Sequence, residues 1–353
     1  MTSASYSPGT ESPPLVVRFG AIGDMIMITP LLRALAARHG RPCDVLGRGP
    51  WLQTLFAHLP FVGTVRSIDS LHWPPVWLSW NKQRAVTWLR QRGSGSVYLL
   101  QTDADTMRLL RPAQMKVTAF NEQFDQRATE HTCDRLLRVG GFGPEAKRGS
   151  QLAVSADEVA EMTRWLAALG VGSSPVVLIQ PGNRRTRRFT QSARDFKVWP
   201  NEHWVTVITG VLERLPQAQV LIMGSPKEQP LAAALANTCA SPRVQAVADQ
   251  LPLRRLFALL TRAHSMISVD TGPAHAAAAL GCPIVAIFGR TDPRVTGPQS
   301  MSSPVILVVP PLAQDLGPDQ AWSPEFEVSH VEATAVLQAW AGLLPSAPLV
   351  RLV

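Results

Sequence analysis

The sequence predicts an α/β protein built from two domains, each a parallel β-sheet covered by helices. Short apolar runs typical of buried strands alternate with helical segments through most of the chain. A chain of 353 residues is also long enough for two hydrophobic cores. A linker rich in glycine and serine, residues 170–175, separates the halves. The predicted domains are therefore residues 15–170 and 171–353.

Composition and charge narrow the class of protein. An apolar content of 46% with 17% charged residues is typical of a folded globular chain. The net charge of +8 favours acidic partners such as nucleotides, phosphorylated lipids or anionic membrane surfaces. The four cysteines have neither metal-ligand nor redox spacing, so we expect reduced, buried thiols and no zinc site. Without an apolar run of membrane-spanning length or a signal sequence, the protein is expected to be cytosolic or peripherally membrane-bound.

The first domain begins after a predicted disordered tail, residues 1–14, rich in Ser, Pro and Thr. Residues 15–19 form a predicted strand and residues 25–39 a helix, in which Pro30 is placed early or introduces a kink. Asp24 lies between them, near the carboxyl edge of the sheet where ligands bind in such folds. From position alone, helix capping is the commoner role for such an aspartate.

Further along the first domain, residues 43–46, 64–68 and 97–101 are predicted strands and residues 51–59 a short helix. Residues 72–81 hold three Trp and two Pro without a clean period, which fits an acceptor-facing loop or a membrane-contacting patch, although such residues more often form irregular core. The loop that follows the strand at 97–101 carries two further carboxylates, Asp103 and Asp105.

The second domain is predicted to open with a strand at residues 176–179 and a Gln-Pro-Gly turn that starts at Gln180. An arginine-rich run, residues 184–194, and Lys197 follow; such a run fits a solvated loop or a nucleic-acid contact as well as a phosphate site. Another apolar run, residues 220–223, leads to Glu228 in the first turn of a helix.

The most informative stretch is residues 266–289, which predicts strand, tight turn, helix and strand. Thr271 is the expected cap of the helix, and Pro273 suits its first turn. A helix that starts at the carboxyl edge of a parallel sheet presents free N–H groups and partial positive charge, which favours an anion site. Asp270, Gly272 and His275 would surround that anion.

These segments resemble glycosyltransferase family 9, the heptosyltransferases. The family pattern is an Asp-Thr-Gly-Pro-x-His turn, an Ala-rich helix, Gly-x-Pro, a strand and Phe-Gly-x-Thr-Asp-Pro, and residues 270–293 match it except that Arg290 replaces the usual Pro. Further matches are the Gly-Asp loop and Thr-Pro helix at residues 23–30, the Lys before Trp-Pro-x-Glu-x-Trp at 197–204, and the Gly-Gly-Pro-x-Glu-like segment at 224–228. Gln180 departs from the family's usual His.

The resemblance implies a GT-B architecture, two Rossmann-like αβα domains facing an interdomain cleft. It implies inverting transfer of heptose from ADP-heptose to a sugar hydroxyl of a lipopolysaccharide core acceptor, without a cofactor or metal, by a cytoplasmic protein that contacts the inner membrane at most peripherally. Asp24 matches the catalytic carboxylate. The donor-binding residues carried over are Lys197, Glu228, Asp270, Thr271, Gly272 and His275.

Other functions stay open at this point. A non-catalytic nucleotide-sugar-binding protein would keep the turn at residues 270–275 but would need neither Asp24 nor Lys197. A family member acting on a protein or another glycan would share the donor site. A nucleic-acid-binding protein would explain the arginine-rich run, but no recognised binding module is present. A dehydrogenase is disfavoured because no G-x-G-x-x-G follows either opening strand. The acceptor, the sugar and the oligomeric state stay undetermined.

Overall fold

The structure is a computed structural model that describes residues 12–92, 95–113, 117–120, 129–182 and 197–344. The chain divides into two compact units. The first unit comprises residues 1–127 and 132–148, and the second comprises residues 128–131 and 149–353.

The described part of the first unit is a five-stranded parallel sheet with helices. Its strands are β1 (Leu15–Val17), β2 (Cys43–Arg48), β3 (Val62–Ile68), β4 (Val97–Leu99) and β5 (Ala119–Phe120). Its helices are α1 (Ile22–Ile26), α2 (Thr29–His39), α3 (Trp51–Phe56), α4 (Trp80–Gln91), α5 (Ala104–Leu110) and α6 (Thr132–Val139). The strand order is β3-β2-β1-β4-β5, and β1 is fully buried because helices cover both faces of the sheet.

The described part of the second unit is a six-stranded parallel sheet in the order β11-β10-β9-β6-β7-β8. The strands are β6 (Val176–Gln180), β7 (Gln219–Ile222), β8 (Val244–Ala246), β9 (Ser265–Val269), β10 (Ile284–Ile287) and β11 (Val305–Val308). The helices are α7 (Ala156–Ala168), α8 (Asn201–Arg214), α9 (Gln229–Cys239), α10 (Leu253–Arg262), α11 (Gly272–Ala279), α12 (Pro293–Thr296), α13 (Pro311–Gln314) and α14 (Ala333–Ala341). The predicted α/β class with two doubly wound parallel sheets is thus confirmed.

The division between the units falls earlier than the glycine-rich linker suggested, because residues 149–170 belong to the second unit. Helix α7 is fixed there by two ion pairs to α10. Arg254 Nε donates to Glu158 Oε1 over 2.6 Å, and Arg255 Nη2 donates to Glu161 Oε1 over 2.5 Å. These pairs join residues far apart in sequence, so local composition did not reveal them.

The helix expected over residues 25–39 is two helices. α1 ends at Ile26, and α2 starts at Thr29 with Pro30 in its first turn, where the missing N–H leaves no hydrogen bond unmade. The hydroxyl of Thr29 donates to Ile26 O over 2.7 Å across the break. The early position predicted for Pro30 is correct, and the proline separates two helices instead of bending one.

The described end of the predicted tail packs against the first sheet. Pro14 O accepts a hydrogen bond from Asp44 N over 2.8 Å, and the Arg92 guanidinium donates to Pro13 O. Disorder is therefore wrong for residues 12–14, and residues 1–11 lie outside the described part of the chain.

The cysteines are free, as expected, and three of them are buried: Cys43, Cys133 and Cys282. Burial raises the pKa of Cys43 and of Cys282 to about 12, so these thiols stay protonated. Among the described residues, no helix combines the length and the apolar character that a membrane crossing would need.

Candidate functional site

Both sheets reverse their strand order at one point, and two predicted site residues, Asp24 and Asp270, follow strands at those points. In the first sheet the reversal lies between β1 and β4, and Asp24 follows β1. In the second it lies between β6 and β9, and Asp270 follows β9. In open α/β sheets the carboxyl ends of the strands diverge at such a reversal and leave a crevice that binds ligands. Each unit therefore carries its predicted residues where a ligand site is expected.

Asp24 is fixed by its own turn. Its Oδ2 accepts a hydrogen bond of 2.8 Å from the main-chain N–H of Ala21, the residue that precedes α1. Gly20 makes this possible, because a Cβ at that position would lie 2.4 Å from the Cβ of Asp24. The glycine thus leaves room for the carboxylate side chain.

An arginine side chain also approaches the Asp24 carboxylate. Arg18 Nη2 lies 3.6 Å from Asp24 Oδ1, while its Nη1 donates to Leu100 O over 2.9 Å. The neighbouring Phe19 N–H donates to Gln101 Oε1 over 3.1 Å. These contacts fasten the turn after β1 to the end of β4, and 38% of the Asp24 side chain stays exposed. Neither Gly20 nor Arg18 was selected from the sequence as a site residue, although both lie within six residues of Asp24.

The rival carboxylates of the first unit have structural roles. Asp103 precedes α5 and accepts hydrogen bonds from the N–H groups of Asp105 and Thr106, each over 3.1 Å. Burial raises the pKa of Asp103, but the hydrogen bonds from Gln101 and Thr106 outweigh it and hold that pKa below the usual value. Asp105 binds the His72 ring and Arg108. Residues 102–105 are thus the start of a helix, and their carboxylates are occupied.

In the second unit, Lys197 and Asp270 are brought together from positions far apart in sequence. The Lys197 ammonium forms an ion pair with the Asp270 carboxylate and lies 3.4 Å from the main-chain oxygen of the same residue. Both side chains are largely buried, with 24% of Lys197 and 12% of Asp270 exposed. A partly desolvated cation at the crevice is suited to a diphosphate.

The start of α11 differs from the expected capping. Thr271 is the N-cap residue, but its hydroxyl makes no bond to the helix amides and lies instead 3.1 Å from Ser268 Oγ. Pro273 has no N–H, and the N–H of Ala274 donates to Thr271 O over 3.1 Å. Because Pro273 has no N–H and the N–H of Ala274 is engaged, the N–H of Gly272 is the first-turn donor best placed by position for an anion.

Two other polar residues of the second unit are buried, the predicted site residue His275 and Gln180. His275 lies in α11 and is only 6% exposed. Gln180 ends β6, is buried, and donates from Nε2 to Gly182 O over 2.9 Å. The amide of Gln180 therefore closes its own Pro-Gly turn.

Glu228 follows β7 in a 3-10 turn, residues Pro226–Glu228. Its Oε2 accepts a hydrogen bond of 2.7 Å from Ser225 N–H. The residue is 8% exposed, and its Oε1 has no hydrogen-bond partner among the described residues. A buried carboxylate oxygen without a donor is costly, and a ligand hydroxyl would satisfy it.

Arg290, which departs from the family pattern, is engaged within its own unit. Its Nε donates to Glu327 Oε1 over 2.9 Å. The hydrogen bond to Glu327 raises the pKa of Arg290. The arginine-rich run at residues 184–194 lies outside the described residues. Within the described ranges, no group of three or more His, Cys, Asp or Glu side chains is arranged to hold a metal ion.

Comparison with known proteins gives matches both in sequence and in fold. Lipopolysaccharide heptosyltransferase 3 of Escherichia coli is 35% identical over 133 residues, which are 37% of this chain and 36% of that protein. The chain thus aligns with about a third of the length of the curated relatives it matches.

Two solved structures share the fold over nearly the whole chain. E. coli ADP-heptose lps heptosyltransferase II has a TM-score of 0.69 at 18% identity and covers 94% of this chain and 98% of its own. The dodecameric iron-containing heptosyltransferase TibC of enterotoxigenic E. coli, in complex with ADP-D-beta-D-heptose, has a TM-score of 0.56 at 14% identity, with coverages of 94% and 76%.

These likenesses establish a GT-B architecture, in agreement with the two parallel sheets and their helices. The family itself is established by sequence, because the profile of glycosyltransferase family 9 (heptosyltransferase) matches residues 116–315, more than half of the chain. The protein belongs to glycosyltransferase family 9.

Proposed function

We propose that this protein is an inverting glycosyltransferase that moves heptose from ADP-heptose to a sugar hydroxyl of a lipopolysaccharide core acceptor, without a metal ion. The observation that carries the proposal is that each sheet has a charged group fixed at its strand-order reversal: the Asp24 carboxylate in the first unit and the Lys197–Asp270 pair in the second. A base and a diphosphate-binding cation are the two groups that such a transfer requires.

Asp24 is assigned to the acceptor hydroxyl. As the hydroxyl oxygen attacks the anomeric carbon of the heptose from the face opposite the diphosphate, its proton passes to the Asp24 carboxylate. The bond from that carbon to the diphosphate oxygen breaks, and ADP leaves with the electron pair. Two contacts, to Ala21 N–H and Arg18, leave lone pairs of the exposed carboxylate for this proton.

Lys197 is assigned to the leaving diphosphate. Negative charge grows on the diphosphate as the glycosidic bond breaks, and a cation already in place stabilises that charge without reorganisation. Asp270 holds the ammonium in position through the ion pair and the 3.4 Å contact to its main-chain oxygen. Glu228 is assigned to the nucleoside hydroxyls, because its Oε1, which has no hydrogen-bond partner within the described ranges, can accept from them.

The decisive experiment is incubation of the full chain with ADP-heptose and a panel of core acceptors, followed by mass spectrometry of the acceptor. We expect a mass increase of one heptose, release of ADP, and an NMR coupling that reports inversion at the anomeric carbon. A retained configuration would refute the single displacement at Asp24.

Metal independence is tested in the same assay. Transfer by metal-stripped protein in EDTA should equal that of untreated protein, and added Mg²⁺ or Fe²⁺ should not raise it. Since TibC is an iron-containing heptosyltransferase, an iron-dependent rate would refute this part of the proposal while leaving the transfer itself established.

The alternatives predict different outcomes. A non-catalytic nucleotide-sugar-binding protein would bind ADP-heptose and modify no acceptor. A family member with a protein or another glycan as acceptor would transfer heptose to that substrate and not to the core. A nucleic-acid-binding protein would bind an oligonucleotide more tightly than ADP in parallel titrations.

A further inference from the structure

The first unit displays three tryptophans on one short segment. Residues 72–80 pass from β3 to α4 through a 3-10 turn, Val76–Leu78, and Trp73, Trp77 and Trp80 are 71%, 74% and 81% exposed. The irregular-core interpretation of this segment is therefore wrong for its tryptophans. A cluster of large exposed apolar side chains in a folded protein marks an interaction surface.

The segment is held in this form by a buried lysine. Lys82 is only 3% exposed, and its ammonium donates to Leu71 O over 2.9 Å and to Pro74 O over 2.6 Å. The Gln83 side chain donates to Trp77 O over 2.7 Å. Ser79 accepts from Lys82 N–H and caps α4. Because these contacts fix the backbone, the indoles are already presented to the solvent and need not be ordered on binding.

Basic side chains lie beside the tryptophan segment, together with the carboxylates of Asp69 and Asp105, which are engaged by Asn81 and by the His72 ring. Arg84 lies one helical turn after Trp80 on the exposed face of α4. With Arg66, Asn81 and Trp88 it lines a polar depression of about 380 Å³. In the part of the chain that the structure describes, neither Arg66 nor Arg84 pairs with a carboxylate, so their charges are available to an external anion.

The charge of the whole chain is also concentrated in this part. Residues 1–148 contain 18 of the 34 Lys and Arg residues and 11 of the 26 Asp and Glu residues. Their net charge is +7, and residues 149–353 carry the remaining +1. An excess of this size attracts an anionic surface at a distance, before any contact is made.

We propose that residues 72–80, with Arg66 and Arg84, form a docking surface for a bilayer that contains anionic phospholipid. Tryptophan prefers the headgroup region of a membrane, where its ring contacts acyl chains and its N–H contacts water. The two guanidinium groups bind the lipid phosphates. A rigid protein partner would need a pocket for each protruding indole, whereas a fluid bilayer closes around all three.

The test is co-sedimentation of the full chain with vesicles of phosphatidylcholine alone and of phosphatidylcholine with phosphatidylglycerol. The wild type should bind the anionic vesicles, more weakly at high salt. A variant with Trp73→Ser, Trp77→Ser and Trp80→Ser should bind them at least about tenfold more weakly. Arg84→Glu should weaken binding about fivefold or more. The control is Leu312→Ser, which removes a 79% exposed apolar side chain from the second unit and should change nothing.

A second measurement removes any doubt about misfolding of the triple variant. Acyl chains brominated near the headgroup should quench the tryptophan fluorescence of the wild type, and ADP binding should not alter this. The proposal is overturned if wild type and triple variant bind vesicles equally, or if quenching is absent. It is also overturned if the tryptophans instead mediate self-association in sedimentation velocity without vesicle binding. None of these readouts depends on transfer activity, so the proposed function can fail while docking succeeds.

Discussion

In each unit, a carboxylate side chain that follows a strand is held by the same kind of turn, and comparing the two turns shows what each carboxylate can do. The residues of the turn are Gly20, Ala21 and Asp24 in the first unit and Gly224, Ser225 and Glu228 in the second. In both, the N–H of the residue after the glycine donates to the carboxylate three positions later, over 2.8 Å and 2.7 Å respectively. A Cβ on Gly20 would clash with the Cβ of Asp24 at 2.4 Å, whereas a Cβ on Gly224 would be in tight contact with the Cβ of Glu228 at 3.0 Å.

The difference between the turns is their burial. Asp24 has 38% of its side chain exposed, so a bound hydroxyl can reach its carboxylate. Glu228 is 8% exposed and keeps one oxygen without a partner among the described residues. The same backbone geometry thus produces a candidate base in one unit and a candidate hydroxyl acceptor in the other. Five substitutions test this distinction.

The largest effect is expected from Asp24→Asn. The amide preserves the shape of the side chain but cannot take the acceptor proton, so the transfer rate should fall about 10²- to 10⁴-fold. Affinity for ADP, measured by calorimetry, should stay at the wild-type value, since no donor contact is assigned to Asp24. The matched control is Asp103→Asn, which makes the same change at a helix-capping residue of the same unit and should leave the transfer rate near the wild-type value, since Asn also caps helices. Near wild-type turnover in Asp24→Asn would move the base elsewhere.

The two glycines should separate rate from affinity. Gly20→Ala pushes the Asp24 side chain out of place, and a displacement of about 1 Å of a catalytic group costs up to about 10²-fold in rate. Gly224→Ala has a milder clash and should raise the dissociation constant for ADP with little change in turnover of saturated enzyme. Steady-state kinetics and ADP titration of both variants provide the comparison. If both substitutions changed turnover, or both changed the affinity for ADP, the two turns would not have separate roles.

Lys197→Met should weaken donor binding and leave the candidate base, Asp24, unchanged. A hydrogen bond to a charged group contributes about 1.5–3 kcal/mol, which corresponds to about 10- to 150-fold in the dissociation constant for ADP. Lys227→Met removes one exposed lysine from the same unit and should leave ADP affinity within about twofold, because exposed charges contribute little. An equal loss in both variants would mean that net charge, and not the position of Lys197, attracts the donor.

The structural features that could be predicted from the sequence were those that depend on a short segment of the chain. The apolar runs before Asp24 and Asp270 gave strands within two residues of their observed ends, since buried parallel strands are continuous apolar segments. Helix α4 was missed, because its first turn lies in the Trp- and Pro-rich segment whose period is irregular. The two-residue strand β5 was missed because it is too short to show a period.

The candidate site was named from the sequence as a set of residues, but its arrangement could not be predicted. The spacing of residues 270–275 indicated a ligand turn, whereas the pairing of Lys197 with Asp270 joins residues 73 positions apart, for which a single sequence has no signal. The hydroxyl of Thr271 turned away from the helix because Ser268, on the preceding strand, offered it a partner. The role of Gly20 required the position of the Asp24 Cβ. Tertiary contacts of this kind decide which of several plausible local roles a residue takes.

The smallest and most specific effect is expected from Glu228→Gln. A neutral carbonyl oxygen can still accept from a ribose hydroxyl, but hydrogen bonds to neutral groups are weaker than those to charged ones by about 1 kcal/mol, so ADP should bind about fivefold more weakly. Inorganic pyrophosphate has no ribose, and its affinity should be unchanged.

The exposed Glu213 on α8 provides the control, since Glu213→Gln should change the affinity for neither ADP nor pyrophosphate. The variant should also melt at or above the wild-type temperature, because it removes a buried charge whose Oε1 lacks a described partner. A parallel loss of ADP and pyrophosphate binding would show that Glu228 supports the diphosphate end of the site, and the contrast between the two carboxylate turns would have to be redrawn.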